Sequence, residues 1–129
     1  MGKELKHILC IDDEHDILEV AKMCLETVGG YTVTCIDSGT KALKQVQQSK
    51  PDLILVDYMM PEMDGPETLR ELRFNMLLKN TPIVYMTARV QPKEVKEYLE
   101  NGATAVIRKP FDPMTLSQEV QRIWDEFHE

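Results

Sequence analysis

Cysteine is scarce. Cys10, Cys24 and Cys35 are the only three in 129 residues, an odd number without CxxC spacing. That count and spacing argue against a disulfide framework, and their places on strand-like runs and on a helix's inner face read as buried, reduced thiols. The three histidines, His7, His15 and His128, form no ligand spacing, so nothing supports a zinc site. Basic residues are also short. Fifteen Lys and Arg face 22 Asp and Glu, for a net charge of −7 and a pI near 5.0. Affinity for nucleic acid comes from neutralising phosphates with Lys and Arg, so direct nucleic-acid binding by this chain is not expected. No apolar run exceeds strand length, which excludes a membrane-spanning helix. The N-terminus carries no secretory apolar segment, and Lys6 stands where a myristoylation signal has Ser or Thr. A cytoplasmic location follows as the expectation. Repeats, low-complexity tracts and linkers are absent. With 43% hydrophobic residues, one core and one domain over residues 1–129 are expected.

What is present is an alternation of two periods. Ile8 to Ile11, Tyr31 to Ile36, Leu53 to Val56, Ile83 to Met86 and Ala105 to Ile107 are short, apolar and rich in Val and Ile, as strands buried on both faces are. Between them apolar residues recur at three and four: Ile17, Val20, Ala21, Cys24 and Val28 in the first interval, and Leu69, Leu72 and Met76 in the third. Asp13 is a candidate cap for the first helix and Gly29-Gly30 its stop. Ser38-Gly39 precedes a short helix from Thr40 to Gln48, which Lys50-Pro51 ends. Pro66, Pro92 and Pro113 suit the first turns of the third, fourth and fifth helices, and Gly102 closes the fourth. The fourth helix offers only Val95, Tyr98 and Leu99 as an apolar face. The fifth carries Leu116, Val120, Ile123 and Phe127 at core spacing, with Trp124 beside them.

This βαβ alternation implies a parallel α/β sheet with right-handed crossovers. All strands then point the same way, and their polar endings gather at the edge where such sheets bind ligands. Those endings are Asp12 and Asp13, Asp57, Thr87 and Lys109. Taken singly, each has an ordinary explanation as a cap, a turn or a loop residue. Taken together, three carboxylates on one edge repel, and a divalent cation relieves the repulsion more simply than raised pKa values do. Oxygen ligands from loops suit magnesium, which keeps waters and phosphate oxygens in its shell. Magnesium beside Lys109 implies a phosphoryl group, and Asp57 is the candidate nucleophile for an acyl phosphate.

The strings Ile11-Asp12-Asp13-Glu14, Leu55 to Gly65, Met86-Thr87-Ala88 and Lys109-Pro110-Phe111 resemble the receiver domain of two-component response regulators, particularly the single-domain chemotaxis type. The resemblance covers nearly the whole chain. It implies a doubly wound, flavodoxin-like three-layer α/β/α fold with five parallel strands ordered 2-1-3-4-5. Helices 1 and 5 would lie on one face and helices 2, 3 and 4 on the other. It implies Asp57 as phosphoacceptor and Mg2+ held by Asp13, Asp57 and the Met59 carbonyl, with Asp12 acting through water. Thr87 and Lys109 would contact the phosphoryl oxygens, and the Lys109–Pro110 bond would be cis. The phosphodonor would be a histidine kinase, a phosphotransfer domain or a small acyl phosphate. Phosphorylation would act on an unidentified output protein through the helix 4–strand 5–helix 5 face, in a monomer or a weak phosphorylation-dependent dimer. Such a chain is a regulator rather than a turnover enzyme.

The chain departs from this pattern in places. Val106 stands where many relatives carry Tyr or Phe, whose ring moves with the threonine, while Tyr85 offers an aromatic two residues before Thr87. Met59 and Arg89 occupy the two variable positions that tune acyl-phosphate lifetime in the family. His15, near the acidic pair, reads as a solvated first-turn residue. The alternative of another class is an aspartyl-phosphate phosphohydrolase like the haloacid dehalogenases, whose DxD pattern Met59 breaks.

Overall fold

In a computed structural model, which describes residues 3–129, the two periods resolve into strands and helices in strict alternation. The strands are β1 His7–Ile11, β2 Thr32–Ile36, β3 Leu53–Asp57, β4 Ile83–Thr87 and β5 Ala105–Arg108. The helices are α1 His15–Thr27, α2 Gly39–Ser49, α3 Gly65–Arg73, α4 Pro92–Glu100 and α5 Leu116–Phe127. A 3-10 turn, Met76–Leu78, follows α3.

All strand pairs are parallel, in the order β2-β1-β3-β4-β5. Cys10 pairs with Cys35 on one side and Leu55 on the other, and Asp57 pairs with Met86. Alternate strand residues face opposite layers. Ile8, Cys10, Leu53, Leu55, Val84 and Met86 pack under α1 and α5, whereas Leu9, Ile11, Ile54, Val56, Ile83 and Tyr85 pack under α2, α3 and α4. The resulting α/β/α sandwich leaves the polar strand ends uncovered at one edge, as the doubly wound topology requires.

Helix boundaries follow local chemistry. The Ser38 hydroxyl accepts the Lys41 N–H, and Asp64 Oδ1 accepts the Glu67 N–H, so α2 and α3 begin on side-chain caps. Gly30 and Gly102 have φ of +75° and +111° and close α1 and α4 in the left-handed region that a side chain disfavours.

Five sequence expectations are corrected. Asp13 does not cap α1; the N-cap is Glu14, whose N–H is taken by Asp12 Oδ1 at 2.9 Å. The buried face of α1 is Leu18, Ala21, Cys24 and Leu25, so Val20 and Val28 are exposed and the stripe is rotated by one residue. The third helix ends at Arg73, which leaves Met76 exposed in the 3-10 turn while Leu78 takes the core position. Pro113 precedes α5 instead of opening it, and Phe127 lies on the helix's exposed end.

Candidate functional site

Each site residue is delivered by a strand end. β3 finishes on Asp57, β4 finishes on Thr87, Asp12 and Asp13 follow β1, and Lys109 follows β5. The register that places Asp57 beside Met86 and Thr87 beside Arg108 brings these endings to a common level. Carboxylate oxygens of Asp12, Asp13 and Asp57 lie within 4.8 Å of one another. Into this cluster Lys109 donates hydrogen bonds of 2.8 Å to Asp12 Oδ2 and 3.1 Å to Asp57 Oδ1, with Glu14 Oε1 at 4.0 Å. The Lys109–Pro110 peptide is cis.

Asp12 and Asp57 are buried, whereas Asp13 is exposed. Burial and the neighbouring Asp12 charge push the Asp57 carboxyl up to about 6, against the opposing pull of Lys109 and the Met59 N–H. Burial alone would lower the Lys109 ammonium. Its hydrogen bond to Asp12 and the charges of Asp12 and Asp57 outweigh that effect, and the net shift is upward. Three carboxylates and one ammonium leave the cluster negative, and hard oxygen donors in that state fit a divalent cation.

A cavity of about 570 Å³ opens over Asp57, walled by Met59, Thr87, Lys109 and Phe111 and by Ile17 and Val20 of α1. Thr87 Oγ1 accepts the Arg89 N–H at 3.1 Å, which leaves its own O–H free to donate. Met59 turns its side chain outward, 72% exposed. The backbone beneath is held by Gly65: its N–H donates to the Tyr58 carbonyl at 2.9 Å, and a Cβ there would stand 2.7 Å from Tyr58 Cα. His15 points away from the acidic pair, with Nε2 3.3 Å from Asp37 Oδ2.

The structure thus collects Asp12, Asp13, Asp57, Thr87, Met59 and Lys109 in one place. It also adds residues that pattern reading missed. Ile17 and Val20 wall the cavity although their spacing resembles a core stripe; an α1 stripe broader than one buried face was the available signal. Glu14 approaches Lys109, and no spacing rule marks it.

A family model described as the response regulator receiver domain matches residues 8–121. The alkaline phosphatase synthesis transcriptional regulatory protein PhoP of Bacillus subtilis is 37% identical over 118 residues, 92% of this chain and 48% of that protein. The DNA-binding response regulator MtrA of Mycolicibacterium paratuberculosis is 36% identical, over 90% of this chain and 50% of its own length. The chain therefore spans about half of these relatives. The chemotaxis response regulator CheY4 of Vibrio cholerae superposes with a TM-score of 0.86 at 32% identity, covering 93% of this chain and 99% of that structure. The signal receiver domain of a signal transduction histidine kinase from Syntrophus aciditrophicus gives 0.81 at 32%, covering 94% and 91%. With residues 8–121 matched by the family model and nearly the whole fold superposed on a solved receiver, this chain belongs to the receiver domain family of two-component response regulators.

Proposed function

We propose that residues 1–129 act as one phosphoacceptor switch in which Asp57 receives a phosphoryl group from a phosphohistidine donor. The observation that carries this reading is the Asp57 carboxylate at the floor of an open cavity, with an ammonium 3.1 Å away and two further carboxylates converging on it. One Asp57 oxygen attacks phosphorus as the bond to the donor nitrogen breaks, and the departing imidazole keeps the electron pair and takes up a proton from solvent. A carboxyl titrating near 6 is mostly ionised at neutral pH and so remains a competent nucleophile. Lys109 offsets charge on the transferring oxygens, and the Thr87 hydroxyl is placed to donate to one of them. Receiver domains typically bind Mg2+. Asp13 and Asp57 with the Met59 carbonyl, and Asp12 through water, would hold it, and when bound it supplies positive charge to the phosphoryl oxygens.

Membership of the family supports a histidine kinase or phosphotransfer domain as donor and a cytoplasmic site of action; no helix among the described residues is long and apolar enough to cross a membrane. The relatives' transcriptional and DNA-binding roles belong to proteins twice as long, and the output partner of this chain is a separate question. The α4–β5–α5 face is the proposed output surface, whose equilibrium phosphorylation shifts.

Acetyl phosphate with magnesium should add one alkali-labile, hydroxylamine-labile phosphoryl group, and Asp57→Asn should abolish it. Persistent labelling of the variant at another residue contradicts the assignment. Sustained release of phosphate from phosphomonoesters would instead favour a phosphohydrolase.

A further inference from the structure

Arg89, two residues beyond Thr87, is tied on both sides of its backbone. Its N–H donates to Thr87 Oγ1 at 3.1 Å, and its carbonyl accepts the Tyr98 hydroxyl of α4 at 3.2 Å. A single residue thus links the hydroxyl of the site to the helix. Tyr98 is the buried residue of α4, whose remaining side chains are half-buried or exposed. Its ring lies 4.9 Å from that of Tyr58, which directly follows Asp57, and 5.4 Å, edge-on, from that of Tyr85, which precedes Thr87 by two. The third pair, Tyr58 and Tyr85, is also edge-on at 5.3 Å. Val106 pairs with Tyr85 across the strands but offers neither a ring nor a polar atom.

A helix anchored by so little apolar surface is easily displaced. Its one buried side chain hydrogen-bonds the connection that Thr87 also holds. If Thr87 turns its oxygen toward a phosphoryl group, the Arg89 N–H loses its acceptor, the connection is freed, and the carbonyl that fixes the Tyr98 hydroxyl moves with it.

We infer that Tyr98 is the positioning residue through which α4 reads the state of the Thr87 hydroxyl, with the Arg89 backbone as the latch between them. The inference rests on Asp57 being the phosphoacceptor. A packing role for Tyr98 needs only the ring, whereas a latch needs the hydroxyl, and Tyr98→Phe separates the two.

The experiment uses the full chain with acetyl phosphate and magnesium. Phosphoryl occupancy is measured by mass, and amide exchange is followed over residues 89–101 before and after loading. Wild type should change its exchange rates over α4 severalfold on loading. Tyr98→Phe should reach the same occupancy, yet exchange fast over α4 beforehand and show less than half of the wild-type change. Val106→Ala should respond as wild type does. A wild-type-sized change in Tyr98→Phe, or its loss in Val106→Ala, overturns the latch. In wild type labelled with carbon-13 at the tyrosine ζ carbon, the Tyr98 resonance should shift on loading. An unmoved resonance overturns the inference even if the Phe variant folds poorly. Absence of phosphoryl uptake by wild type removes the phosphoacceptor reading and the latch together; normal uptake with an indifferent Tyr98→Phe removes the latch alone.

Discussion

At Asp57 two demands conflict. A nucleophile toward phosphorus works best ionised and partly stripped of water, yet burial beside Asp12 raises its carboxyl from the ordinary 3.8 to about 6. Between those two values the folded protein holds a proton that the unfolded chain has already released. Stability therefore falls as pH rises through roughly 4 to 6, and the cost persists above that window. Asp57→Asn keeps the shape and removes the charge. In magnesium-free buffer at pH 7.5 it should raise unfolding stability by roughly 1–3 kcal/mol, and the gain should vanish near pH 4. Denaturant titrations at both pH values check this; an equal gain at both would show that repulsion is not the cause. Asp13 contributes to the same cluster from an exposed position. Asp13→Ala should preserve the fold, weaken magnesium binding at least tenfold by calorimetric titration and slow phosphoryl uptake in proportion. An unchanged magnesium isotherm would remove Asp13 from the ligand set.

Elements are positioned by contacts that periodicity does not encode. Arg73, the last residue of α3, donates from all three guanidinium nitrogens to the carbonyls of Leu78, Thr81 and Gly102 and to Thr104 Oγ1, at 2.8 to 3.3 Å. It fastens the end of α3 to the 3-10 turn and to the α4–β5 connection, and burial lowers its own pKa without a carboxylate to offset the effect. Arg73→Ala strands several acceptors at once and should cost about 2–4 kcal/mol, while the exposed Arg70→Ala should stay within about 0.5 kcal/mol. Thermal or chemical unfolding of the two variants side by side tests this, and comparable losses would argue against the clasp. In sequence, Arg73 is one more basic residue near a helix end, because its partners are backbone carbonyls that have no letter. Met76 continues the α3 spacing in the sequence for a related reason: the helix ends at Arg73, and Asn75 instead caps the 3-10 turn, its Oδ1 accepting the Leu77 N–H at 3.0 Å. Strands were easier to place, since an apolar run ending on Asp or Thr marks its own limit, and β3 and β4 extend just one residue beyond the expected ends. The rotation of the α1 stripe was hidden because Ile17 and Val20 are apolar for the cavity rather than for the core.

For the whole molecule, parallel strands turn four separate polar strand endings into one cluster, which makes the site legible in the sequence. Strand order was different in kind. Periodicity places β1 and β3 in one sheet but does not say that β2 lies outside β1, and the order came from the resemblance of the motifs. The fold then poses a question of transmission, because chemistry occurs at the strand ends while the proposed output face is built from α4, β5 and α5. Thr87 stands where the two meet: it walls the Asp57 cavity and holds the Arg89 N–H at the start of the β4–α4 connection. Lys109 also walls the cavity, but among the described residues its ammonium bonds into the carboxylate cluster. Removing one should therefore uncouple the site, and removing the other should disable it. Thr87→Ala should accept phosphoryl from acetyl phosphate within a few-fold of the wild-type rate, because Lys109 and the carboxylates are intact, yet lose most of the exchange response over α4, β5 and α5. Lys109→Ala should slow uptake itself by roughly 100-fold or more, the order expected when a charge aimed at the transferring oxygens is deleted. Mass-resolved phosphorylation rates beside amide exchange decide the matter. A Thr87→Ala protein whose output face responds fully to phosphorylation would show that the signal leaves Asp57 by a route that bypasses the threonine.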